Sequence, residues 1–435
     1  MSKNYRPATR ALHSGYDSLS HLGSRAVPIY ATTSYVFASA QEGADLYALK
    51  KPGFLYSRLG SPTVNVLEER LAAYHGASAA LAVASGSAAN SLLFLSLAGP
   101  GQNIVASPQL YGGTATLLEH TFRRLGILTK FVDLNDQAAL RAAIDEKTCA
   151  VFGEGIANPG GYIVDLEKVA AVTHEYGLPL VIDNSAAPPP ILNPFDFGAD
   201  LVTYSLTKLI GGHGTHLGGV IIEKGDFDWG RNDCFRQYLN APDPTYDGLN
   251  FWEKFGQPFY KEGRSQVLCQ KIRLDLLRNF GPTLSPFGAH EFLLGLETLP
   301  LRAERQVRNA KAVAEYLKAN PKVAWVNYAG LSESPSFALA QKYFRGLPGA
   351  VFGFGLKGGF EAAVKFIDRL QLWSHLANIL DARSLVIHAA STTHQQLSPE
   401  ERLKAGVPYD LIRLSVGLEQ VEDLIEALDE ALEKI

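Results

Sequence analysis

Between residues 65 and 225, short runs rich in Val and Ile alternate with stretches of helical period, and no other feature limits the fold of this chain as much. The pattern predicts strands at 102–106, 128–132, 150–153, 178–182 and 201–204, with helices at 139–144 and 166–176 between them. Near-continuous apolar strands separated by helices describe an α/β fold with a mostly parallel sheet covered on both faces. In such sheets ligands lie beyond the carboxyl ends of the strands, so the residues just after each strand are the ones to read for chemistry.

Around this core the sequence divides further. Residues 1–62 carry Pro28, Pro52 and many polar residues without a sustained helical period, and read as an extended arm that needs a neighbour to lie against. Residues 226–265 are irregular and aromatic, with Trp229, Tyr238, Tyr246, Phe251, Trp252, Phe255, Phe259 and Tyr260, and read as an insertion. A helical stretch is predicted at 264–277 and a long amphipathic helix at 301–319. The expected division is therefore an arm (1–62), a ligand-binding domain (63–280) and a smaller C-terminal α/β domain (281–435).

Forty Lys and Arg against 44 Asp and Glu give a net charge of −4, with no long basic or acidic run, which argues against a nucleic-acid or anionic-membrane partner. The longest apolar stretch, 92–98, is far short of the roughly 20 residues a membrane helix needs. Cys149, Cys234 and Cys269 are widely spaced and odd in number, against a disulfide framework, and the first 23 residues lack an apolar leader. A reducing cytoplasm is expected.

The chemistry concentrates at 178–219. One predicted strand ends in Asp183-Asn184-Ser185; another leads into Ser205-Leu206-Thr207-Lys208 and the loop Gly211-Gly212-His213-Gly214. A lysine at a buried strand end is costly unless its amine is used, for example bound to an aldehyde, and a carboxylate beside a pyridine nitrogen keeps that ring an electron sink. Ser85-Gly86-Ser87 opens an apolar helix, where free N–H groups and the helix dipole favour an anion, and Ser205 and Thr207 add hydroxyls. A lysine, a carboxylate and a phosphate cradle together describe pyridoxal 5′-phosphate.

Asn158-Pro159-Gly160-Gly161, Asp183-Asn184-Ser185, Tyr204-Ser205-Leu206-Thr207-Lys208, Ile210-Gly211-Gly212-His213-Gly214 and Ser391-Thr392-Thr393-His394 resemble the Cys/Met-metabolism family of pyridoxal-phosphate enzymes. The likeness runs from Ser24-Arg25-Ala26-Val27-Pro28-Ile29-Tyr30 to Arg413-Leu414-Ser415-Val416-Gly417-Leu418-Glu419 and is strongest to the O-acetylhomoserine sulfhydrylase branch. It implies a fold-type I, aspartate-aminotransferase-like architecture. It implies Lys208 as Schiff-base lysine and proton shuttle, Asp183 on the pyridine nitrogen, and Tyr111 stacked on the ring. Gly86, Ser87, Ser205 and Thr207 would hold the phosphate, with Tyr56 and Arg58 supplied by the neighbouring subunit of a homotetramer. Asn158 would touch the phenolic oxygen, and Arg413, with Asn378, Ser384 and Tyr56, would bind the substrate.

The implied reaction is γ-replacement on O-acetyl-L-homoserine by sulfide, giving L-homocysteine and acetate. A γ-lyase, or γ-substitution on another amino acid such as canavanine, methionine or cystathionine, stays open. Ser61, Ser87, Gly155, Leu380 and Ala389 depart from the sulfhydrylase pattern, and these changes are expected near the substrate. The rival of another class is a silent cofactor-binding scaffold; retention of Lys208, Asp183, Tyr111 and Arg413 speaks against it. Two other motifs are set aside. Gly353-Phe354-Gly355-Leu356-Lys357-Gly358 spells a dinucleotide fingerprint but sits in a C-terminal strand pattern with no acidic strand end about 20 residues on. His213 and His216 lie in a glycine-rich loop without a third ligand, so no metal is expected.

Overall fold

The computed structural model describes residues 5–230, 232–256 and 264–435, so Phe259 and Tyr260 of the expected insertion lie outside the described residues. The reading of 1–62 as extended needs correction: it contains helices α1 (Pro7–His13) and α2 (Ala40–Tyr47). Each spans about two turns, too short for a 3.6-residue period to stand out among polar residues. α1 opens on a proline, which suits a first turn, and buries Ala11; Ser39 caps α2 by accepting the Glu42 N–H. α1 packs on α3 (Pro62–His75) of its own chain, whereas Leu22 and Val36 leave their side chains fully exposed.

The large sheet contains β1 (Ala79–Val83), β2 (Asn103–Ala106), β3 (Leu128–Phe131), β4 (Thr148–Glu154), β5 (Leu180–Asp183), β6 (Leu201–Ser205) and β7 (Gly219–Glu223). Their order is β1-β7-β6-β5-β4-β2-β3; β7 runs antiparallel to both neighbours and the remaining pairs are parallel. β2 to β6 are the five predicted strands. β1 and β7 were not anticipated: Ala79-Ala80-Leu81-Ala82-Val83 has weak strand preference by itself and becomes one by pairing with β7. Alternate residues feed two cores, with Val105, Val151, Ile182 and Val202 on one face and Ile104, Phe152, Val181 and Leu201 on the other. On the second face, α4 (Gly86–Leu97) sets Phe94 edge-on to Phe152, ring centroids 4.9 Å apart.

The short hairpin β8 (Pro242–Asp243) and β9 (Leu249–Asn250) lies in the aromatic insertion. There the buried Lys271 pairs with Asp243 and faces the Tyr238 and Phe251 rings at 4.6 and 4.8 Å. The helical stretch predicted at 264–277 begins at Val267, passes through a π-helical turn at Arg273–Leu277 and ends at Phe280. The long helix predicted at 301–319 begins at Pro286 and runs to Ala319, straight through Pro300. A proline usually marks a helix boundary, and here tertiary packing of Leu296, Leu299 and Ala303 overrides it.

The second sheet comprises β10 (Val323–Asn327), β11 (Val351–Leu356), β12 (Ser374–His375), β13 (Leu385–His388) and β14 (Ile412–Ser415), in the order β10-β11-β14-β13-β12. The Gly353 motif lies along β11, as the strand pattern predicted. Gly355 is needed there because a Cβ would lie 2.2 Å from Trp325 Nε1. Among the described residues no helix is long and apolar enough to cross a membrane.

Candidate functional site

The carboxyl ends of β4, β5 and β6 carry Glu154, Asp183 and Ser205, and the turn after β1 leads into α4. Parallel strands in register place these ends side by side, and they line a cavity of about 320 Å³. It brings together ten of the predicted residues: Gly86, Ser87, Tyr111, Asn158, Asp183, Ser205, Thr207, Lys208, Asn378 and Arg413.

One end is an anion cradle. Ser85 caps α4 by accepting the Ala88 N–H at 3.0 Å, so the first N–H groups of a twelve-residue helix face the cavity. Gly86 is required by proximity: a Cβ there would lie 2.7 Å from Ser205 Cβ. Thr207 is set by accepting the Gly218 N–H at 3.1 Å.

The floor is Asp183. Its Oδ1 accepts the Ser185 N–H at 3.0 Å and the Ser185 hydroxyl at 2.6 Å, and its Oδ2 accepts from Asn90 Nδ2 at 3.1 Å. Ser185 Oγ in turn accepts the Ser205 N–H at 2.6 Å, and Asn90 Oδ1 accepts the Thr203 hydroxyl at 2.7 Å. Burial pushes the Asp183 pKa up, against these hydrogen bonds and the charge of Lys208. A cation beside the carboxylate would favour its charged form.

Lys208 Nζ donates to Asn378 Oδ1 at 2.7 Å. Burial, reinforced by Arg413 and opposed by Asp183, pulls its pKa down to about 8, so the amine is far more available than an ordinary lysine. Arg413 projects from β14; its guanidinium donates to the Asn378 carbonyl at 2.8 Å and reaches Asn158 Oδ1 at 3.5 Å. Its Nε is buried without a partner, and burial lowers its pKa to about 10. A desolvated guanidinium with an unused N–H suits a carboxylate.

Three predicted residues stand apart. Ser384 is not among the lining residues: its buried hydroxyl donates to Glu419 Oε2 at 2.9 Å and accepts the Gly417 N–H at 2.8 Å, tying the turn before β13 to the segment after β14. Tyr56 and Arg58 lie outside the cavity, with the Arg58 guanidinium 5.4 Å from the centre of the Tyr56 ring. The departures from the sulfhydrylase pattern divide, with Gly155 between the lining residues Glu154 and Ile156 and Leu380 beside the lining Ile379. Ser87 lines the cavity, while Ser61, Gly155, Leu380 and Ala389 do not. Gly155 backs onto Asn184, whose Oδ1 would lie 2.5 Å from a Cβ. Leu380 keeps a buried side chain at φ 59°, a backbone setting that leucine adopts only with strain.

Asn90, Ser185 and Glu154 line the cavity but were not selected from sequence. Asn90 offered a signal, the amide in the largely apolar run Ala88 to Leu97, and Glu154 another, a carboxylate ending a wholly buried strand.

The donors fit pyridoxal phosphate: an N-terminal helix turn with two hydroxyls for a phosphate, a desolvated amine for an aldehyde, and a carboxylate for a ring nitrogen. The family model of Cys/Met metabolism PLP-dependent enzymes matches residues 8–433. The chain is 50% identical over 438 residues to an O-acetyl-L-homoserine sulfhydrylase of Leptospira meyeri, covering 100% of this chain and 98% of the relative. It is 50% identical over 428 residues to O-acetyl-L-homoserine sulfhydrylase 1 of Thermus thermophilus, covering 98% and 99%. Among solved structures, a putative O-acetylhomoserine (thiol)-lyase of Campylobacter jejuni, carrying a pyridoxyl-lysine monophosphate, superposes with a TM-score of 0.93 at 38% identity, over 99% of this chain and 100% of that one. The two share one fold, the fold-type I α/β arrangement. By sequence, fold and the make-up of its cavity, the chain belongs to the Cys/Met-metabolism family of pyridoxal-phosphate-dependent enzymes.

Proposed function

We propose that this protein replaces the acetate of O-acetyl-L-homoserine with sulfide, giving L-homocysteine and acetate. The observation that carries the reading is the meeting of Lys208, Asp183 and the partly unpartnered Arg413 in one cavity, in a chain half identical to sulfhydrylases. Bound pyridoxal phosphate supplies an aldehyde that joins amines and a protonated ring that withdraws electrons from the substrate carbons. In this reading Asp183 would hold the ring N–H, while Gly86, Ser87, Ser205 and Thr207 would hold the phosphate. Lys208 removes the α proton, then a β proton, and returns protons after sulfide adds at Cγ. Tyr111 would stack on the ring, Asn158 would meet its phenolic oxygen, and Arg413 with Asn378 would fix the substrate carboxylate.

The test is a panel of O-acetylhomoserine, O-succinylhomoserine, cystathionine, methionine and canavanine, each with and without sulfide, with products identified by mass. Homocysteine should form from O-acetylhomoserine only when sulfide is present. An oxoacid and ammonia formed equally without sulfide would assign a γ-lyase instead, and no conversion of any substrate would assign a scaffold. For Arg413→Ala we expect kcat/KM to fall about 10²- to 10³-fold, mostly through KM, because one partner of a desolvated charge pair is removed. The cofactor's visible band should persist. Saturation kinetics with an unchanged KM would take Arg413 out of substrate binding.

The enzyme is read as a cytoplasmic homotetramer in which Tyr56 and Arg58 complete the partner's site.

A further inference from the structure

Two carboxyl groups, not one, face the cofactor cavity: Glu154 and Asp183 are register partners on adjacent parallel strands. The reaction as read above uses only Asp183. Glu154 is nonetheless almost wholly buried, a place where a carboxyl group is rarely kept without a task. Its Oε1 accepts the main-chain N–H of Tyr111 at 2.5 Å, and the main-chain N–H of Asn158 acts on the same carboxyl group, favouring its charged form.

Those two main chains belong to different loops, Tyr111 in the turn leaving β2 and Asn158 in the turn leaving β4. Tyr111 precedes α5 (Gly112–Thr116) in a non-helical conformation, with no side-chain cap on that helix. Half of its surface is exposed, so packing alone does not fix it. We infer that Glu154 is a positioning residue: one carboxyl group ties the main chains of Tyr111 and Asn158 together and thereby sets the two side chains that flank the ring.

The chemistry of the group suits this task. A carboxyl group has two oxygens and can hold two N–H donors at a fixed separation, whereas an amide has one acceptor oxygen. Burial first, then the neighbouring Asp183, pushes the Glu154 pKa up to about 8 against those two donors. The negative charge is thus concentrated on Asp183, where a ring cation needs it.

The inference rests on the cofactor reading above, and the experiment separates the two. Glu154→Ala, Glu154→Gln, Tyr111→Ala and the double variant Glu154→Ala/Tyr111→Ala would be purified with pyridoxal phosphate, and kcat, KM and the visible circular dichroism of the bound cofactor measured. Glu154→Ala should lower kcat about 30-fold, less than the roughly 10²-fold that a full 1 Å misplacement can cost, with KM within about threefold and the dichroism at least halved. Glu154→Gln keeps one of the two bonds and should recover kcat to between about three- and tenfold below the parent. In the Tyr111→Ala background the Glu154→Ala change should cost clearly less than it does in the parent, because coupled residues do not add, and what remains is the loss through Asn158.

An alanine variant within twofold of the parent, a glutamine variant as impaired as alanine, or losses that multiply in the double variant would overturn the inference. If Glu154→Ala does not fold, the glutamine variant decides alone: a partial loss of kcat and dichroism at constant KM supports the clamp, and parent-like values overturn it. A parent protein with no visible dichroism at all would instead overturn the cofactor reading.

Discussion

Lys208→Ala should lower turnover at least about 10⁴-fold and remove both the cofactor's visible band and the mass that borohydride fixes on the peptide carrying residue 208. Two contributions combine. The amine is the proposed anchor of the aldehyde, and it is also the group that moves the α and β protons, a role that by itself contributes about 10²- to 10⁴-fold. The site prepares it for both. Burial holds its pKa near 8, so that close to half of it is neutral in mildly alkaline buffer, and the 2.7 Å bond to Asn378 points it into the cavity. Removing the side chain forfeits that one bond, worth about 1 kcal/mol, so the fold should survive and the loss should be chemical. Absorbance, borohydride labelling with peptide mass mapping, and single-turnover rates check the prediction. A fixed mass still found on that peptide, or turnover within a hundredfold of the parent, would refute the proposed mechanism.

Asp183→Ala should lower kcat about 10³-fold and weaken retention of pyridoxal phosphate, because the ring nitrogen loses the anion that keeps it protonated in a dry cavity. Asp183→Asn tells charge from shape. Asparagine fits the same space and can still accept from Ser185, so a packing role would leave it close to the parent, whereas a charge role makes it lose nearly as much as alanine. Visible spectra against pH and kcat for both variants decide. An asparagine variant within tenfold of the parent would remove Asp183 from its assigned role. Asn90 and Ser185 explain why the charge can be used at all: each carboxylate oxygen is held by a donor, so the group is oriented before the cofactor arrives.

Several elements were legible in the sequence and others were not, for reasons visible residue by residue. Val and Ile runs announced β4, β5 and β6 because strands buried on both faces leave little room for polar residues, whereas β3, a half-exposed edge strand containing Lys130, carried a weaker signal. Ala79 to Val83 did not announce β1, since alanine favours helix and only the pairing with β7 makes it a strand. Pro300 hid the first half of the helix Pro286–Ala319, and the arm's helices were too short to show a period. In the site, Lys208, Asp183 and Gly86 were legible because each follows or precedes an apolar run at a strand or helix end. Asn378 and Ser384 illustrate the limit: six residues apart in one loop, they were indistinguishable in sequence, yet one meets Lys208 and the other is consumed by Glu419.

The sequence by itself determined the alternating α/β plan, the strand ends that carry the amine, the acid and the phosphate turn, and the family, because each is written in local order and residue type. Only the tertiary structure decided which of those ends share a cavity, how Arg413 and Asn378 cross from the second sheet to reach it, and that Glu154 and Asn90 hold the others in place. Those relations depend on strand register and long-range packing, which join residues far apart in the chain and leave no local pattern to read.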